Sequence, residues 1–108
     1  MIDYIQLGGE NRPVKFGLNT LRLFTKQFNI SLNKLGNLGE MTFDTLMELM
    51  FAGYKEGLKH EGQQLQITID DFCELLDEDG KLDEMLNIFA DQFGGGDGEG
   101  NQEAPAMG

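Results

Sequence analysis

The sequence predicts a mainly α-helical fold, a small domain of four to five helices with an N-terminal β-hairpin and a disordered, acidic, glycine-rich C-terminal tail. Three observations predict it. Apolar residues recur at helical spacing through most of positions 18–93, residues 2–16 carry strand and turn types instead, and glycine and acid replace large apolar residues after Phe93. With 108 residues the chain holds one domain, assigned to residues 1–93, and the tail occupies 94–108. Apolar residues at 40% and charged residues at 25% are enough to build a core, so the bulk of the chain is expected to fold.

The hairpin comes first. "IDYIQL" offers Ile2, Tyr4 and Leu7 as β-favouring residues, "GGENR" supplies turn chemistry, and "PVKF" resumes with β-branched and aromatic types. Pro13 cannot donate to a ladder, which puts its strand at an edge or starts the strand there.

From Gly17 the period changes. Leu18, Leu21, Phe24 and Phe28 fall on one helical face while Arg22, Lys26 and Gln27 lie mostly off it, giving a first helix over about 18–28. Ser31 then serves as N-cap for one short helical turn that Gly36 and Gly39 end. Thr42 caps the longest helix, in "FDTLMELMFAGYKEGLKHEG", with Asp44 in its first turn and Lys55, Lys59 and His60 near its end, as the helix dipole favours. Its middle is apolar almost all round, interrupted by Glu48, so it is either central to the core or core on one side and partner-facing on another.

Thr68 caps a fourth helix, with Asp70 and Asp71 in its first turn, and Gly80 breaks it. "KLDEMLNIFADQF" makes a fifth, with Leu82, Met85, Leu86, Phe89 and Phe93 on one stripe. The remaining "GGGDGEGNQEAPAMG" is too polar to offset its own ordering entropy and is expected to be disordered.

Charge narrows the function classes. Residues 1–69 carry seven acids and seven Lys/Arg, whereas residues 70–108 carry twelve acids against Lys81 alone, so the net charge of −11 belongs to the last third. Contact with nucleic-acid phosphates or an anionic membrane needs a basic footprint that this region lacks. "MIDYIQLGGE" has no basic region ahead of its apolar residues, and no uninterrupted apolar run reaches about 18 residues, so a cytoplasmic location is expected.

No residue pattern argues for chemistry. The single cysteine, Cys73, excludes an internal disulfide and a multi-cysteine zinc site. His60 sits at a helix end, and Cys73 lies in an apolar run among acids that raise a thiol pKa, so the pair makes no nucleophile and base. "DEDG" at 77–80 resembles the glycine turn of a calcium loop, but with Gly80 at the sixth position Leu75 and Leu86 stand at the first and twelfth, where acids must be. "NISL" similarly lacks the aspartate that precedes the modified serine of acyl-carrier proteins, Ile30 standing in its place. The expectation is a protein without enzymatic activity, catalytic residue, cofactor or metal.

The group Met47, Met50, Phe51 and Tyr54 is the most suggestive feature, because flexible thioethers adapt to a hydrophobic partner. Most of these side chains are expected inside the monomer, with an outward minority of the 43–59 helix, together with Leu21 and Phe24, forming a partner contact. Apolar helix surface in so small a domain also makes a homo-oligomer an expectation.

Taken in order, "VKFGLNTLRLFTKQFNISLNKLGNL", "FDTLMELMFAGYKEGLKHEGQQL" and "ITIDDFCELLDE" resemble the tail assembly chaperones of long-tailed bacteriophages and their prophage relatives, over about residues 4–93. The carrying pattern is a short strand with Phe16, the helix "LNTLRLFTKQFNISL", the long helix with "LMFAGYKEGLK", and an acidic helix from Thr68 to Asp77. The resemblance implies a protein that binds the tape-measure protein during tail building, keeps it soluble, recruits tail-tube subunits and is absent from the mature virion. It also implies that two lengths often exist through ribosomal frameshifting, for which the glycine-rich stretch after Phe93 is the place. The alternative is an acidic nucleic-acid mimic that fills the basic groove of a DNA-binding protein, motivated by the acids of residues 70–103.

Overall fold

A computed structural model describes residues 2–94 and shows a mainly helical fold with an N-terminal two-stranded hairpin. The expected tail, apart from Gly94, lies outside the described residues. Strands β1 (Asp3–Leu7) and β2 (Glu10–Val14) pair antiparallel, with Asp3 opposite Val14 and Leu7 opposite Glu10. Their connection is Gly8-Gly9 alone, with φ of 61° and 79°, as a two-residue turn matched to strand twist requires. Turn chemistry therefore ends at Gly9, and Glu10 to Arg12 belong to the strand. Alternation turns Ile5 and Leu7 inward and leaves Tyr4 outside. Pro13 lies within β2 opposite Tyr4, where a two-stranded sheet can spare an N–H on its free edge.

The helices begin and end where local chemistry says. α1 (Leu18–Phe28) follows extended Gly17 and stops at Asn29, which takes the left-handed conformation at φ 53° and donates its N–H to the Thr25 carbonyl. α2 is the single turn Leu32–Leu35; Ser31 holds the N-cap position in extended backbone but makes no side-chain cap bond. A 3₁₀ turn at Leu38–Glu40 leads into α3 (Phe43–His60), whose first turn is closed by Thr45 N–H donating to Thr42 Oγ1 at 3.2 Å. α4 (Ile69–Asp79) starts with a reciprocal capping box: Asp71 N–H donates to Thr68 Oγ1 at 3.1 Å, and Thr68 N–H to Asp71 Oδ2 at 3.2 Å. Gly80 closes it in the left-handed conformation, φ 64°, which makes "DEDG" a helix C-cap. α5 runs Leu82–Gly94.

α3 is the axis of the core, and its near-continuous apolar middle is explained by neighbours on several sides: β2, α1, α4 and α5 all touch it. Leu49, Met50, Phe72 and Met85 are wholly buried there. The Tyr54 and Phe72 rings stack at 5.5 Å, 8° from parallel, and the Phe16 ring meets Phe89 edge-on at 4.9 Å. β2 lies directly on α3, where Lys15 N–H donates to the Gly53 carbonyl at 3.0 Å. Two glycines one helical turn apart make room for that approach: a Cβ on Gly53 would strike the Phe16 ring, and one on Gly57 would stand 2.5 Å from the Pro13 carbonyl oxygen.

Spacing set Leu18 on one face of α1 with Leu21, Phe24 and Phe28, but only Leu21 and Phe24 are buried, Phe28 is half-buried, and Leu18 is 87% exposed. Leu18 opens the helix and is left uncovered there, so the stripe outruns the core.

Candidate interaction surface

Leu21, Phe24, Met47, Met50, Phe51 and Tyr54 all lie in the core, none more than 8% exposed. Phe51 and Tyr54 pack on Phe72, and Arg12 Nη1 donates to the Tyr54 hydroxyl at 2.8 Å, which satisfies that otherwise buried oxygen. Leu21 and Met47 each contribute a small edge to a surface groove, Phe24 and Tyr54 to two others, and Met50 and Phe51 line none of these four. The large apolar side chains open to solvent are others: Leu18, Leu32 at 70%, Phe43 at 65%, Leu23, Leu65 and Tyr4.

Leu18 and Leu32 rim one groove of about 450 Å³, between α1, α2 and the end of α5. Phe16, Leu21, Leu35 and Phe93 supply its apolar lining, and Gly17, Arg22 and Thr25 line it too. Gln92 fixes the α5 wall. Its Oε1 accepts the Phe16 N–H at 2.7 Å, while its Nε2 donates to Asp3 Oδ2 at 2.9 Å and to the Val14 carbonyl at 3.1 Å. One amide thereby holds the hairpin, the loop before α1 and the last helix in register.

A second groove, of about 370 Å³, opens where α3 starts against α4 and α5, lined by Phe43, Met47, Cys73, Leu76 and Leu82 with Asp77 and Asp83 at its margin. Burial raises the Cys73 thiol pKa, and Asp70, Glu48 and Asp44 push it further up, so this half-buried cysteine is held as the unreactive thiol. The Tyr4 hydroxyl, donating to Glu61 across the hairpin face, is raised by the same carboxylate.

The two grooves differ in charge. Residues 11–39 contain five Lys/Arg and no acid, and of these Arg22, Lys26 and Lys34 are exposed around α1 and α2. Lys15 Nζ lies 3.1 Å from where a Gly17 Cβ would be, beside the first groove. Along α4 and α5, by contrast, nine exposed acids from Asp70 to Asp91 face Lys81 alone. That acid-free run is the sequence signal that points to the first groove, and a whole-chain or half-chain charge count averages it away.

No family model matches the chain, and no curated protein or solved structure matches it. Among the described residues no helix is long and apolar enough to cross a membrane, and no group of three or more His, Cys, Asp or Glu is placed to hold a metal ion.

Proposed function

We propose that the chain is a non-enzymatic tail assembly chaperone of a long-tailed phage or prophage, which binds the tape-measure protein in the host cytoplasm and helps recruit tail-tube subunits. The observation that carries the reading is the exposed apolar rim of the first groove, Leu18 and Leu32, on a helical domain whose segment order resembles that family. A tape-measure protein awaiting its tube exposes long apolar helical stripes, and such a stripe fits a groove of this kind in the helix-in-groove mode. Covering each of the two leucines contributes about 1.5–3 kcal/mol, enough that a pair of such contacts matters to affinity. The nine exposed acids of α4 and α5 keep a complex dispersed.

The same acidic face supports a second reading, a mimic of nucleic acid that occupies a basic groove. The test separates the two: a tagged chain is recovered from cells expressing a phage tape-measure protein and tail-tube subunit, washed at low and at high salt, and its companions are identified by mass spectrometry. A chaperone contact built on apolar burial keeps a very long helical protein and a tube subunit at both salts; a mimic yields a basic DNA-binding protein that high salt removes.

A further inference from the structure

The fold treats the two edges of its hairpin differently. A two-residue turn makes the flanking Leu7 and Glu10 a hydrogen-bonded pair, and alternation then makes Ile5 with Arg12, and Asp3 with Val14, pairs of the same kind. Between them, the backbone N–H and C=O groups of Tyr4 and Gln6 on β1, and of Asn11 and Pro13 on β2, point away from the partner strand. On the β2 side α3 closes the edge: Pro13 has no N–H to present, Gly57 lies against its carbonyl, and Lys15 N–H donates to the Gly53 carbonyl at 3.0 Å. On the β1 side no such closure is present among the described residues. No group there bonds the outward N–H or C=O of Tyr4 or Gln6, and both residues are exposed. β1 also has neither the proline, the lysine nor the bulge that blunts an edge, and its one charge, Asp3, accepts from Gln92 instead.

What flanks this edge sets what fits it. At the turn end Asp79 Oδ2 accepts the Gly8 N–H at 2.8 Å, which holds a carboxylate at the end of β1. Asp79 has no cation within ion-pair distance among the described residues. α4 and α5 both touch β1, and against their nine exposed acids stands Lys81, which pairs with Glu84. A second copy joined edge to edge would bring its own acidic α4 and α5 to the same seam, like charge against like. A basic segment brings the opposite sign.

We propose that the outer edge of β1 binds an extended, lysine- or arginine-bearing segment of a partner protein, which adds to the hairpin as a third strand. Tyr4 and Gln6 each donate one main-chain hydrogen bond to it and accept one, and Asp79 faces a basic side chain at the end of the edge. Main-chain bonding selects the extended conformation, and charge selects the partner's sign. No residue of β1 lines the groove of Leu18 and Leu32, so the edge serves whichever protein that groove takes and does not rest on the phage reading.

The test follows amide hydrogen exchange in the full nitrogen-15-labelled chain, with a short capped peptide of alternating lysine and valine as the probe. In the free chain the Tyr4 and Gln6 amides are expected to exchange at least tenfold faster than that of Ile5, and saturating peptide should slow both at least tenfold. Gln6→Pro removes an outward N–H while sparing the hairpin ladder, and should weaken peptide binding at least tenfold. Asp79→Asn keeps an acceptor for Gly8 and should weaken it at least twofold. A fully N-methylated peptide, which keeps its charge and loses every main-chain donor, makes the same comparison on the unaltered chain and should bind at least tenfold more weakly. Tyr4 and Gln6 amides already as slow as Ile5, or protection that rises with protein concentration alone as contact with a second copy, would each overturn the proposal. So would equal binding of the methylated peptide or of a glutamate-for-lysine peptide, or no added protection at millimolar probe.

Discussion

The Phe16 amide donates to Gln92 Oε1 at 2.7 Å, joining two residues 76 positions apart. The same side-chain amide donates to Asp3 and to the Val14 carbonyl, so Gln92 closes the domain by tying its last helix to its first strands. Because these groups are partly buried, removing Gln92 leaves a backbone N–H and a carbonyl short of partners. Gln92→Ala is expected to destabilise the fold by about 1–3 kcal/mol. Gln92→Glu keeps the acceptor for Phe16 but loses both donations and sets a carboxylate beside Asp3, so it should also destabilise, and more at neutral pH than at pH 4. Urea unfolding of both variants checks this, and a Gln92→Glu loss that does not shrink at low pH would contradict the role assigned to Asp3.

α3 carries glycines where helix propensity disfavours them. At an exposed helix position Gly→Ala gains about 1 kcal/mol. At Gly57 the added Cβ meets the Pro13 backbone at 2.5 Å and has nowhere to go, so Gly57→Ala should reverse the sign and cost about 1–3 kcal/mol. Thermal melting reads the sign directly; a raised midpoint would mean that β2 does not lie against α3 as described.

Cys73 gives a pH signature. Its pKa is raised first by burial and then by Asp70, Glu48 and Asp44, so the thiolate appears only above the ordinary thiol range. Linkage gives the sign: a group whose folded pKa is raised contributes stability below its unfolded pKa that is lost as pH climbs through the folded value. Alkylation by iodoacetamide should therefore be slower than for free cysteine at pH 8 and should have its pH midpoint above the free thiol's. A midpoint at or below the free value would place Cys73 in a different environment.

Much of this was legible because it is local. Thr42, Thr68 and Gly80 announce helix ends through bonds spanning three or four residues, and Gly8-Gly9 announces a hairpin turn; each is set by chemistry that a few neighbours decide. The apolar middle of α3 left open whether the helix was central to the core or partner-facing on one side, and packing by β2, α1, α4 and α5 places it in the core. The groove was not legible, because periodicity assigns Leu18 to a stripe without saying where the covering elements end, and Leu18 lies past that limit. The six residues singled out on α1 and α3 are strongly apolar because they fill the core. Gln92 and the Gly53 and Gly57 approaches to the hairpin are tertiary events between distant segments, invisible to spacing.

That burial changes how a partner contact must be probed. Met50 is wholly buried, so Met50→Asp places an unpaired carboxylate in the core and should unfold the domain, losing binding for an uninformative reason. Leu32 is 70% exposed, and Leu32→Asp should change stability by less than about 0.5 kcal/mol. Circular-dichroism melts of the two variants should differ sharply, and a comparable loss in both would deny α2 its exposed placement.

The most direct test of the central claim is co-purification of tagged Leu32→Asp and unaltered chains from cells expressing a phage tape-measure protein and tail-tube subunit, at low and high salt. The account predicts that the unaltered chain brings down a very long helical protein and a tube subunit at both salts, and that the folded variant loses at least tenfold of that recovery. Undiminished recovery by the folded variant, or recovery only of a basic DNA-binding protein that high salt removes, would contradict it.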